Sequence, residues 1–373
     1  MSQWIKTKLG EIVILNYGKA LKAQDRNAGS IPVYSSGGLT GWHNKALINE
    51  QGIIIGRKGT VGKAYLTYGP FWCIDTAYYI LPNPSKYDFV FLFYLLKTLG
   101  LEELNEDSAV PGLNRDTAYS QEILLPSLPE QKAIASVLSS LDDKIDRLHR
   151  QNKTLESMAE TLFRQWFILD STGVSVSIDQ IIDFNPKRTL IKSQDATYLD
   201  MAGLSTVIFR ANGYYRRPFS SGTKFTKRDT LLARITPCLE NGKAAYIDFL
   251  DDNETGWGST EFIVMRPKKE IHPFISYIMC RNPDFKEYAE SCMEGSTGRQ
   301  RVNLDHLKKF NVNLPTEASL RIINELLDSF ESKLINNSKQ IDSLEKLRDT
   351  LLPKLMSGEV RVQYAEEAIA SVA

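Results

Sequence analysis

The sequence predicts an α+β protein in which two duplicated mixed α/β domains are separated by two long antiparallel coiled-coil helices, with pseudo-two-fold symmetry. Residues 114–167 align without a gap on residues 303–356, which follow 189 residues later. Both repeated segments have the heptad spacing of a coiled coil, whereas the segments before them contain short apolar runs typical of buried strands. A repeat of this length indicates a duplicated domain with its helix rather than a solenoid.

The repeat divides the chain into five segments. Residues 1–126 and 171–315 are the two predicted globular domains, residues 127–170 and 316–360 are helical spacers, and residues 361–373 form a tail. With 373 residues and 42% hydrophobic content, the chain is long enough for two separate cores.

Apolar residues recur every three or four positions along both spacers, which predicts a helix of about 39 residues in the first. Gly173 and Gly358 lie just beyond the two patterns, where a left-handed helix cap is expected. Pro353 lies inside the second pattern and is expected to kink that helix or to end it early. The first seam comprises Ile134, Leu138, Leu141, Ile145, Leu148, Asn152, Leu155, Ala159, Leu162 and Trp166, and the second Ile323, Leu327, Phe330, Leu334, Asn337, Ile341, Leu344, Arg348, Leu351 and Leu355.

Each seam contains an asparagine at a core position, Asn152 in the first and Asn337 in the second. If the helices pair antiparallel about the pseudo-two-fold, the two amides meet in one layer near the middle of the bundle. A buried asparagine fixes register, because a slipped alignment would leave its amide unpaired. The pair is then expected to set the distance between the two domains. The alternative is that either side chain is exposed at a frayed seam.

The two domains correspond to each other beyond the helices. Apolar runs at residues 53–55, 78–80 and 231–233 predict buried strands, and residues 89–101 and 273–280 predict short helices. Residues 55–57 align with 232–234, residues 62–64 with 242–244, and Thr76 with Thr260. The framework is therefore shared, whereas the loops differ.

The net charge is zero, with 45 Lys and Arg against 45 Asp and Glu, but the charge is unevenly distributed. The domains at 1–126 and 171–315 carry surpluses of +1 and +3, and the stretches after them carry −1 and −3. This places any contact with a polyanion on the domains. Four scattered cysteines, the absence of a signal-peptide stretch and the absence of a membrane-length apolar run favour a cytoplasmic protein without a metal site.

Catalytic interpretations are weak. Residues 56–64 resemble a P-loop, but the glycine spacing is one residue too long and Ala64 replaces the required hydroxyl residue. This turn either approaches a phosphate backbone or is a plain hairpin. Glu331 and Lys333 resemble part of a nuclease signature, yet they lie on a predicted coiled coil, so they are interpreted as solvated charges. The isolated histidines His43, His149, His272 and His306 are expected at the surface or in caps.

Basic residues interleaved with aromatic residues favour DNA, because positive charge positions phosphates and planar groups contact bases. In the second domain these clusters surround Tyr214, Tyr215 and Phe225. Any single cation is interpreted as a solvated surface charge, and only as a set do these residues favour DNA. The candidate DNA-binding residues are Arg57, Lys58, Lys63, Lys187, Arg188, Arg216, Arg217, Lys224, Lys227, Arg228, Arg234, Lys243, Arg299 and Arg301.

Several motifs together resemble the specificity subunit of type I restriction-modification systems. They are YSSGGLTGWHNKALI from Tyr34, IIIGRKGTVGKAYL from Ile53, LPSLPEQKAIASVLSSLDDKI from Leu125, LFRQWFI from Leu162 and LLPKLMSGEVRV from Leu351. The resemblance covers the chain except for a short tail after Val362. The second copy departs from it at residues 316–320, where the Pro-x-x-Glu-Gln-Lys-like character of residues 127–132 is missing.

The resemblance implies that the globular domains are target-recognition domains, each of which reads half of a split double-stranded DNA site. It implies a helical spacer that docks two methyltransferase subunits and, where present, restriction subunits. This chain would carry no cofactor and no catalytic residue, because S-adenosylmethionine and ATP belong to the partners. Two other classes stay open: a coiled-coil scaffold whose globular domains bind protein, and a self-contained nuclease or methylase.

Overall fold

The structure is a computed structural model, and it describes residues 4–104, 112–170, 172–268, 270–296 and 298–363. The chain divides into two compact units. The first unit comprises residues 1–146 and 340–373, and the second comprises residues 147–339. Of the predicted tail at 361–373, residues 364–373 lie outside the described residues. Among the helices described, none is both long enough and apolar enough to cross a membrane.

The first unit is built mainly from short strands. The strands expected at residues 53–55 and 78–80 and the helix expected at 89–101 are all present. The strands are β1 Ile5–Lys8, β2 Asn16–Tyr17, β3 Ile31–Ser35, β4 Gly38–His43, β5 Gly52–Gly56, β6 Ala64–Thr67, β7 Trp72–Cys73, β8 Ala77–Ile80 and β9 Glu122–Leu125. The helices are α1 Leu9–Ile12, α2 Phe89–Thr98, α3 Arg115–Tyr119 and the long helix α4 Leu128–Phe163.

A four-stranded antiparallel sheet with the order β2-β8-β5-β6 forms the centre of this unit. Every residue of β5 is buried, because the run Ile53, Ile54 and Ile55 leaves no polar side chain for a solvated face. A second sheet has the order β4-β3-β7, with β3 antiparallel to β4 and parallel to β7. The pair β1-β9 brings together the two ends of the domain.

The second unit follows the same plan with more elements. The strand expected at residues 231–233 and the helix expected at 273–280 are present. The strands are β10 Val174–Ser177, β11 Ile182–Phe184, β12 Asp195–Leu199, β13 Tyr215–Pro218, β14 Thr223–Thr226, β15 Thr230–Ala233, β16 Ala244–Tyr246, β17 Thr255–Gly258, β18 Phe262–Pro267, β19 Met293–Glu294, β20 Arg301–Val302 and β21 Asn311–Leu314. The helices are α5 Phe274–Arg281, α6 Pro283–Ser291, α7 Leu304–Leu307 and α8 Glu317–Ser357, which the first unit shares.

The sheet β11-β18-β15-β16 repeats the order and the antiparallel pairing of β2-β8-β5-β6. Its neighbour, β13-β12-β17-β14, repeats the parallel pair of the first unit in β12 and β17 and gains a strand. The two-stranded pair β10-β21 matches β1-β9. The duplicated mixed α/β fold predicted from the sequence is confirmed.

Strand register corrects one part of the internal alignment. Gly56 pairs with Ala77 in the first unit, and Ala233 pairs with Phe262 in the second. Thr76, which precedes Ala77, is therefore equivalent to Glu261 and not to Thr260 as expected. The alignment of residues 55–57 with 232–234 holds in this register.

The repeated Asn-x-Asp motif has a local structural cause. The Asn114 side chain accepts a hydrogen bond from the backbone N–H of Asp116 at 2.8 Å, and Asn303 accepts one from Asp305 at 3.0 Å. Each asparagine thus caps a short helix, α3 or α7, and each aspartate lies in the first turn where negative charge is favourable.

Both long helices are present, but their ends differ from expectation. Helix α4 continues into a π-helical turn at Arg164–Leu169, and Gly173 does not adopt the expected left-handed conformation. Helix α8 continues through Pro353 to Ser357, so the expectation of an early end is wrong, whereas Gly358 has the expected left-handed φ of 75°. The two units divide inside both helices, and the predicted domain boundaries at residues 126, 170 and 315 stay a prediction.

Within the second unit the two helices meet as the heptad argument predicted. Asn337 Nδ2 donates to Asn152 Oδ1 at 2.9 Å, and Asn152 Nδ2 donates to Ser338 Oγ at 3.3 Å. Asn152 is 8% exposed and Asn337 is fully buried, so the alternative of a frayed, exposed seam is wrong. The C-terminal end of α4 and the N-terminal end of α8 share one apolar core, with Phe163 and Ile323 among its members. The helices therefore run antiparallel here.

Candidate nucleic-acid interface

The first unit contains a cleft of about 290 Å³ beside the end of β5. Tyr17 of β2 pairs directly with Tyr78 of β8, so both rings lie on one face of the sheet. The Arg57 guanidinium carbon lies 4.9 Å from the centroid of the Tyr17 ring and 5.7 Å from that of Tyr78. The Arg115 guanidinium lies 5.5 Å from the Tyr17 centroid. Two planar cations thus contact the tyrosine rings.

The charges of this cleft are not neutralised within the part of the chain that the structure describes. Arg57 donates from Nη1 to the backbone oxygen of Asp75 at 3.0 Å. Arg57, Arg115 and Lys58 form no ion pair with any described carboxylate, although Asp116 also lines the cleft. Burial raises the pKa of Tyr78, so this ring stays a neutral phenol at physiological pH. The cleft therefore offers positive charge and aromatic surface to an anion.

The glycine-rich segment beside this cleft is a hairpin. Gly59 and Gly62 have φ values of 81° and 76°, and Gly62 donates a backbone hydrogen bond to Gly56 at 2.9 Å. The segment leads into strand β6, whereas a P-loop leads into a helix. The P-loop interpretation of this segment is therefore wrong. The exposed side chain of Lys63 lies at this turn, and its contact with a phosphate stays a prediction.

At the equivalent position in the second unit, the arginine is paired with a carboxylate. Arg234, the counterpart of Arg57, lies 4.0 Å from the Glu261 carboxylate. Arg301 binds the same carboxylate through two nitrogens, at 2.7 Å from Nη2 and 3.0 Å from Nε. The hydrogen bond from Arg301 lowers the pKa of Glu261, so the carboxylate is charged at neutral pH. Arg234 and Arg301, both predicted DNA ligands, thus share the Glu261 carboxylate as their ion-pair partner.

A larger cleft of about 570 Å³ lies on the other sheet of the second unit. The sheet forms the floor of this cleft. In it, Trp257 of β17 pairs with Tyr198 of β12 on one side and with Lys224 of β14 on the other. The Arg217 guanidinium lies 4.8 Å from the Tyr198 centroid and 5.2 Å from that of Trp257. Arg217 is exposed and forms no ion pair with a described carboxylate.

The remaining candidate cations of the second unit differ in their partners. Three pair with carboxylates: Arg216 with Asp195 at 2.8 Å and Glu254 at 3.4 Å, Lys227 with Asp252 at 2.9 Å, and Arg188 with Asp229 at 3.4 Å. Two make other contacts: Lys243 donates to the Met201 backbone oxygen at 3.1 Å, and Lys224 lies 4.9 Å from the Phe219 centroid. Lys187 and Arg299 are exposed and form no ion pair among the described residues.

Arg228 is half-buried, and its guanidinium is bound by side chains within the second unit. Its Nη2 lies 2.5 Å from Glu331 Oε2, 3.1 Å from His272 Nε2 and 3.4 Å from Asp328 Oδ1. The expectation that Glu331 is solvated is wrong, since only 6% of the residue is exposed. The expectation of surface or capping histidines is wrong for His43, which is buried, whereas His149 and His306 are exposed. His272 is buried, but its Nδ1 caps helix α5 by accepting a hydrogen bond from the backbone N–H of Phe274 at 3.2 Å.

His272, Asp328 and Glu331 offer ligand atoms within 4.8 Å of one another, a grouping compatible with a metal ion. The Arg228 guanidinium, however, contacts all three and supplies the compensating positive charge. We therefore interpret this group as an ionic network and not as a metal site.

Arg115 and the rings of Tyr17, Tyr78, Tyr198 and Trp257 were not predicted as part of the interface. An aromatic residue in a strand is usually read as core, and no local pattern distinguishes a ring that faces a cleft. The available signal was Asn114, because the residue after a helix cap lies in the first exposed turn, which is where Arg115 stands.

A family model described as the type I restriction modification DNA specificity domain matches residues 1–157 and matches again over residues 172–346. The type I restriction enzyme MjaIX specificity subunit of Methanocaldococcus jannaschii is 27% identical over 319 residues, which covers 73% of this chain and 69% of that protein. The HindI specificity subunit of Haemophilus influenzae is 21% identical over 377 residues and covers 78% and 81%.

One further relative matches over a smaller share of the chain. The match to the EcoEI specificity subunit of Escherichia coli covers 51% of this chain and 34% of that protein, at 26% identity. Among solved structures, the S subunit of the type I restriction-modification system from M. genitalium superposes with a TM-score of 0.62 at 19% identity, and 95% and 96% of the two chains are covered. That likeness concerns the fold.

Proposed function

The chain belongs to the type I restriction-modification DNA specificity family, and from this premise we propose that it reads a bipartite duplex DNA target and docks methyltransferase subunits. Its relatives are named specificity subunits, and the chain is accordingly a non-catalytic recognition subunit. The proposal places it in the cytoplasm, in keeping with four free cysteines.

One observation carries the proposal. Each unit has a cleft in which an arginine lies within about 5–6 Å of two aromatic centroids and forms no ion pair with a described carboxylate: Arg57 with Tyr17 and Tyr78, and Arg217 with Tyr198 and Trp257. The rings hold each guanidinium plane in place, which lowers the entropic cost of presenting its N–H edge. An arginine presented in this way is suited to the O6 and N7 acceptors of guanine. We propose that Arg57 and Arg217 read bases in separate half-sites.

The other unpaired cations would position the phosphate backbone. Phosphate contacts fix the register of a protein on duplex DNA without carrying sequence information. Cations already bound to carboxylates contribute less, because their charge is largely compensated. Among the candidate cations and Arg115, eight form no ion pair with a described carboxylate and, apart from the Arg57 bond to the Asp75 backbone oxygen, no side-chain hydrogen bond to a described backbone oxygen: Arg57, Lys58, Lys63, Arg115, Lys187, Arg217, Lys224 and Arg299.

The partners are proposed from the helices. In the second unit, α4 and α8 form a groove of about 510 Å³ with an apolar floor and a basic rim that includes Arg147, Arg150 and Lys333. Such a groove suits the apolar face of an amphipathic helix with acidic flanks. We propose that two methyltransferase subunits and, where present, restriction subunits assemble on the helices. Those partners would supply S-adenosylmethionine, ATP and the catalytic groups.

The test is the salt dependence of duplex binding, measured by fluorescence anisotropy with the full-length chain. Eight phosphate or base contacts predict a slope of log K against log salt of roughly −7, and a loss of affinity of about 10³–10⁵-fold between 50 and 200 mM salt. Charge-reversal variants at the groove should lose the methyltransferase subunit and keep DNA affinity. Duplex binding without salt dependence, or none at all, would contradict the proposal and favour a protein-binding scaffold.

A further inference from the structure

A buried carboxylate fastens the globular part of the second unit to helix α8. Glu331 Oε1 accepts a hydrogen bond from the Tyr246 hydroxyl of β16 at 2.7 Å. Glu331 also accepts from Arg228, at 3.1 Å from Nε and 2.5 Å from Nη2. Arg228 precedes β15 and has a φ of 67°, a conformation that a residue with a side chain rarely adopts. Three donor atoms, one on Tyr246 and two on Arg228 of the domain, therefore bind one residue of helix α8.

The first unit contains the same device at the equivalent position of the repeat. Asp142 of α4 stands 189 residues before Glu331, which is the offset of the two repeated segments. Its Oδ2 accepts from the Tyr94 hydroxyl of α2 at 2.6 Å, and its Oδ1 accepts from Arg348 Nη1 of α8 at 2.9 Å. A tyrosine of the domain and an arginine again share one helical carboxylate.

The two contacts differ in where the arginine originates. Arg228 belongs to the globular part of its unit, so the domain supplies both donors to Glu331. Arg348 belongs to helix α8, so only Tyr94 links the domain to Asp142. The domain of the second unit is therefore held by more directional bonds than that of the first.

These bonds are directional, as are other polar contacts between each domain and its helices, such as Tyr277 to Glu156 at 2.8 Å and the Asp88 backbone N–H to Gln131 Oε1 at 2.8 Å. Apolar packing is non-directional and tolerates small rotations, whereas charge-assisted hydrogen bonds require defined distances and angles. Burial also raises the pKa of both Tyr94 and Tyr246, which keeps the phenols protonated as donors. Buried polar contacts of this kind can select one arrangement among several of similar packing.

We propose that Asp142 and Glu331 are positioning residues that fix the angle of each recognition domain on its helix, and so restrict the spacing allowed between the two DNA half-sites. The inference rests on the proposed reading of a bipartite target. Neither carboxylate contacts DNA, and both act through a tyrosine and an arginine. Glu331 is expected to be the more important of the two, because it receives more bonds from the domain.

The experiment selects duplexes from a random library with the full-length chain, and then measures the Kd for the selected site and for versions with the spacer one base pair longer or shorter. For Glu331→Gln and Tyr246→Phe, the preference for the original spacer should fall about 2- to 30-fold relative to the unmodified chain, the range expected when a coupling contact is lost. Asp142→Asn should give a smaller fall. Glu325→Gln, an exposed carboxylate on the same helix, is the matched control and should leave the preference unchanged.

The outcomes separate the inference from its premise. A lower melting temperature with an unchanged spacer preference in both Glu331→Gln and Tyr246→Phe would mean a structural role only, and it would overturn the inference while leaving bipartite reading intact. If the unmodified chain selects no two-part motif, the proposed function fails and the inference fails with it. Tyr246→Phe keeps the test decisive if Glu331→Gln does not fold, because it removes a single hydroxyl.

Discussion

Two arginines occupy the same place in the two units and have opposite surroundings. Arg57 follows strand β5, contacts two tyrosine rings and forms no ion pair with a described carboxylate. Arg234 follows the equivalent strand β15 and lies 4.0 Å from Glu261, which Arg301 also binds. The backbone arrangement is the same in both units. The backbone N–H of Arg57 donates to the backbone oxygen of Thr76, just before β8, and that of Arg234 donates to the backbone oxygen of Glu261, just before β18. A single side chain thus decides whether the position presents positive charge.

This difference teaches how related domains come to recognise different ligands. The Glu261 ion pair is partly exposed, with 49% of the Arg301 side chain and 22% of the Glu261 side chain accessible, and ion pairs open to solvent contribute little to folding. Its main consequence is therefore the charge that the surface presents. In the second unit, an unpaired arginine that contacts two aromatic rings lies on another sheet, at Arg217. The strands are thus shared by the two units, whereas the position of the arginine that contacts aromatic rings differs.

The largest expected effect is on stability, and it concerns a buried helical carboxylate of the second unit. In the second unit, burial raises the pKa of Glu156 from 4.5 to about 7, even though the Tyr277 hydroxyl donates to it at 2.8 Å. The folded state keeps this proton up to about pH 7, whereas the unfolded chain releases it near pH 4.5. Stability should therefore fall as the pH rises between these values, by on the order of 3 kcal/mol, and stay level above pH 7.

Glu156→Gln removes this proton uptake. At pH 4.5 the melting temperature of the variant should be close to that of the unmodified chain. As the pH rises to about 7.5, the melting temperature of the variant should exceed that of the unmodified chain by an increasing margin, as measured by thermal unfolding. A constant offset between Glu156→Gln and the unmodified chain at every pH would show that Glu156 is already ionised in the folded protein.

The next effect tests the two arginines directly. Arg57→Ala should weaken binding to the selected duplex by about 1–3 kcal/mol, or roughly 5- to 150-fold, because it removes an unpaired guanidinium that is proposed to read a base. Arg234→Ala is the matched variant at the equivalent position and should cost much less, since its charge is already compensated by Glu261. Equal losses in anisotropy titrations of the two variants would remove the contrast between the units.

The smallest expected effect is a gain in duplex affinity. Glu261→Gln should release the charges of Arg234 and Arg301 and make the second unit resemble the first. Non-specific duplex affinity should rise a few-fold at low salt, and the slope of log K against log salt should steepen by roughly 1–2. The mutation Thr76→Glu is the reciprocal change and should weaken binding and flatten the slope. No change of slope in either variant would mean that this position does not face DNA.

Features that depend on local spacing could be predicted from the sequence. Heptad spacing fixed the two long helices, and the internal repeat fixed the register in which Asn152 meets Asn337. Apolar runs located β5, β8 and β15. The cap at Gly358 followed from a local preference, whereas the same argument failed at Gly173 because α4 ends in a π-helical turn.

Features that depend on non-local pairing could not be predicted. The equivalence of Thr76 with Glu261 emerged only from strand register, because the segment between β5 and β8 (residues 57–76) is shorter than that between β15 and β18 (residues 234–261), and an alignment gap can be placed one residue away. Arg228 looked like a surface cation until the fold brought it to Glu331, 103 residues later. Spacing along the chain carries no information about such ion pairs.

The central claim is that the two units read separate half-sites through Arg57 and Arg217. The most direct measurement is the DNA motif selected from a random duplex library by the unmodified chain, by Arg57→Ala and by Arg217→Ala, each at full length. The account predicts a two-part motif in which each variant loses sequence preference in one half only, and in which the two variants affect different halves. Loss of preference in the same half for both variants, or in both halves for either one, would contradict the account.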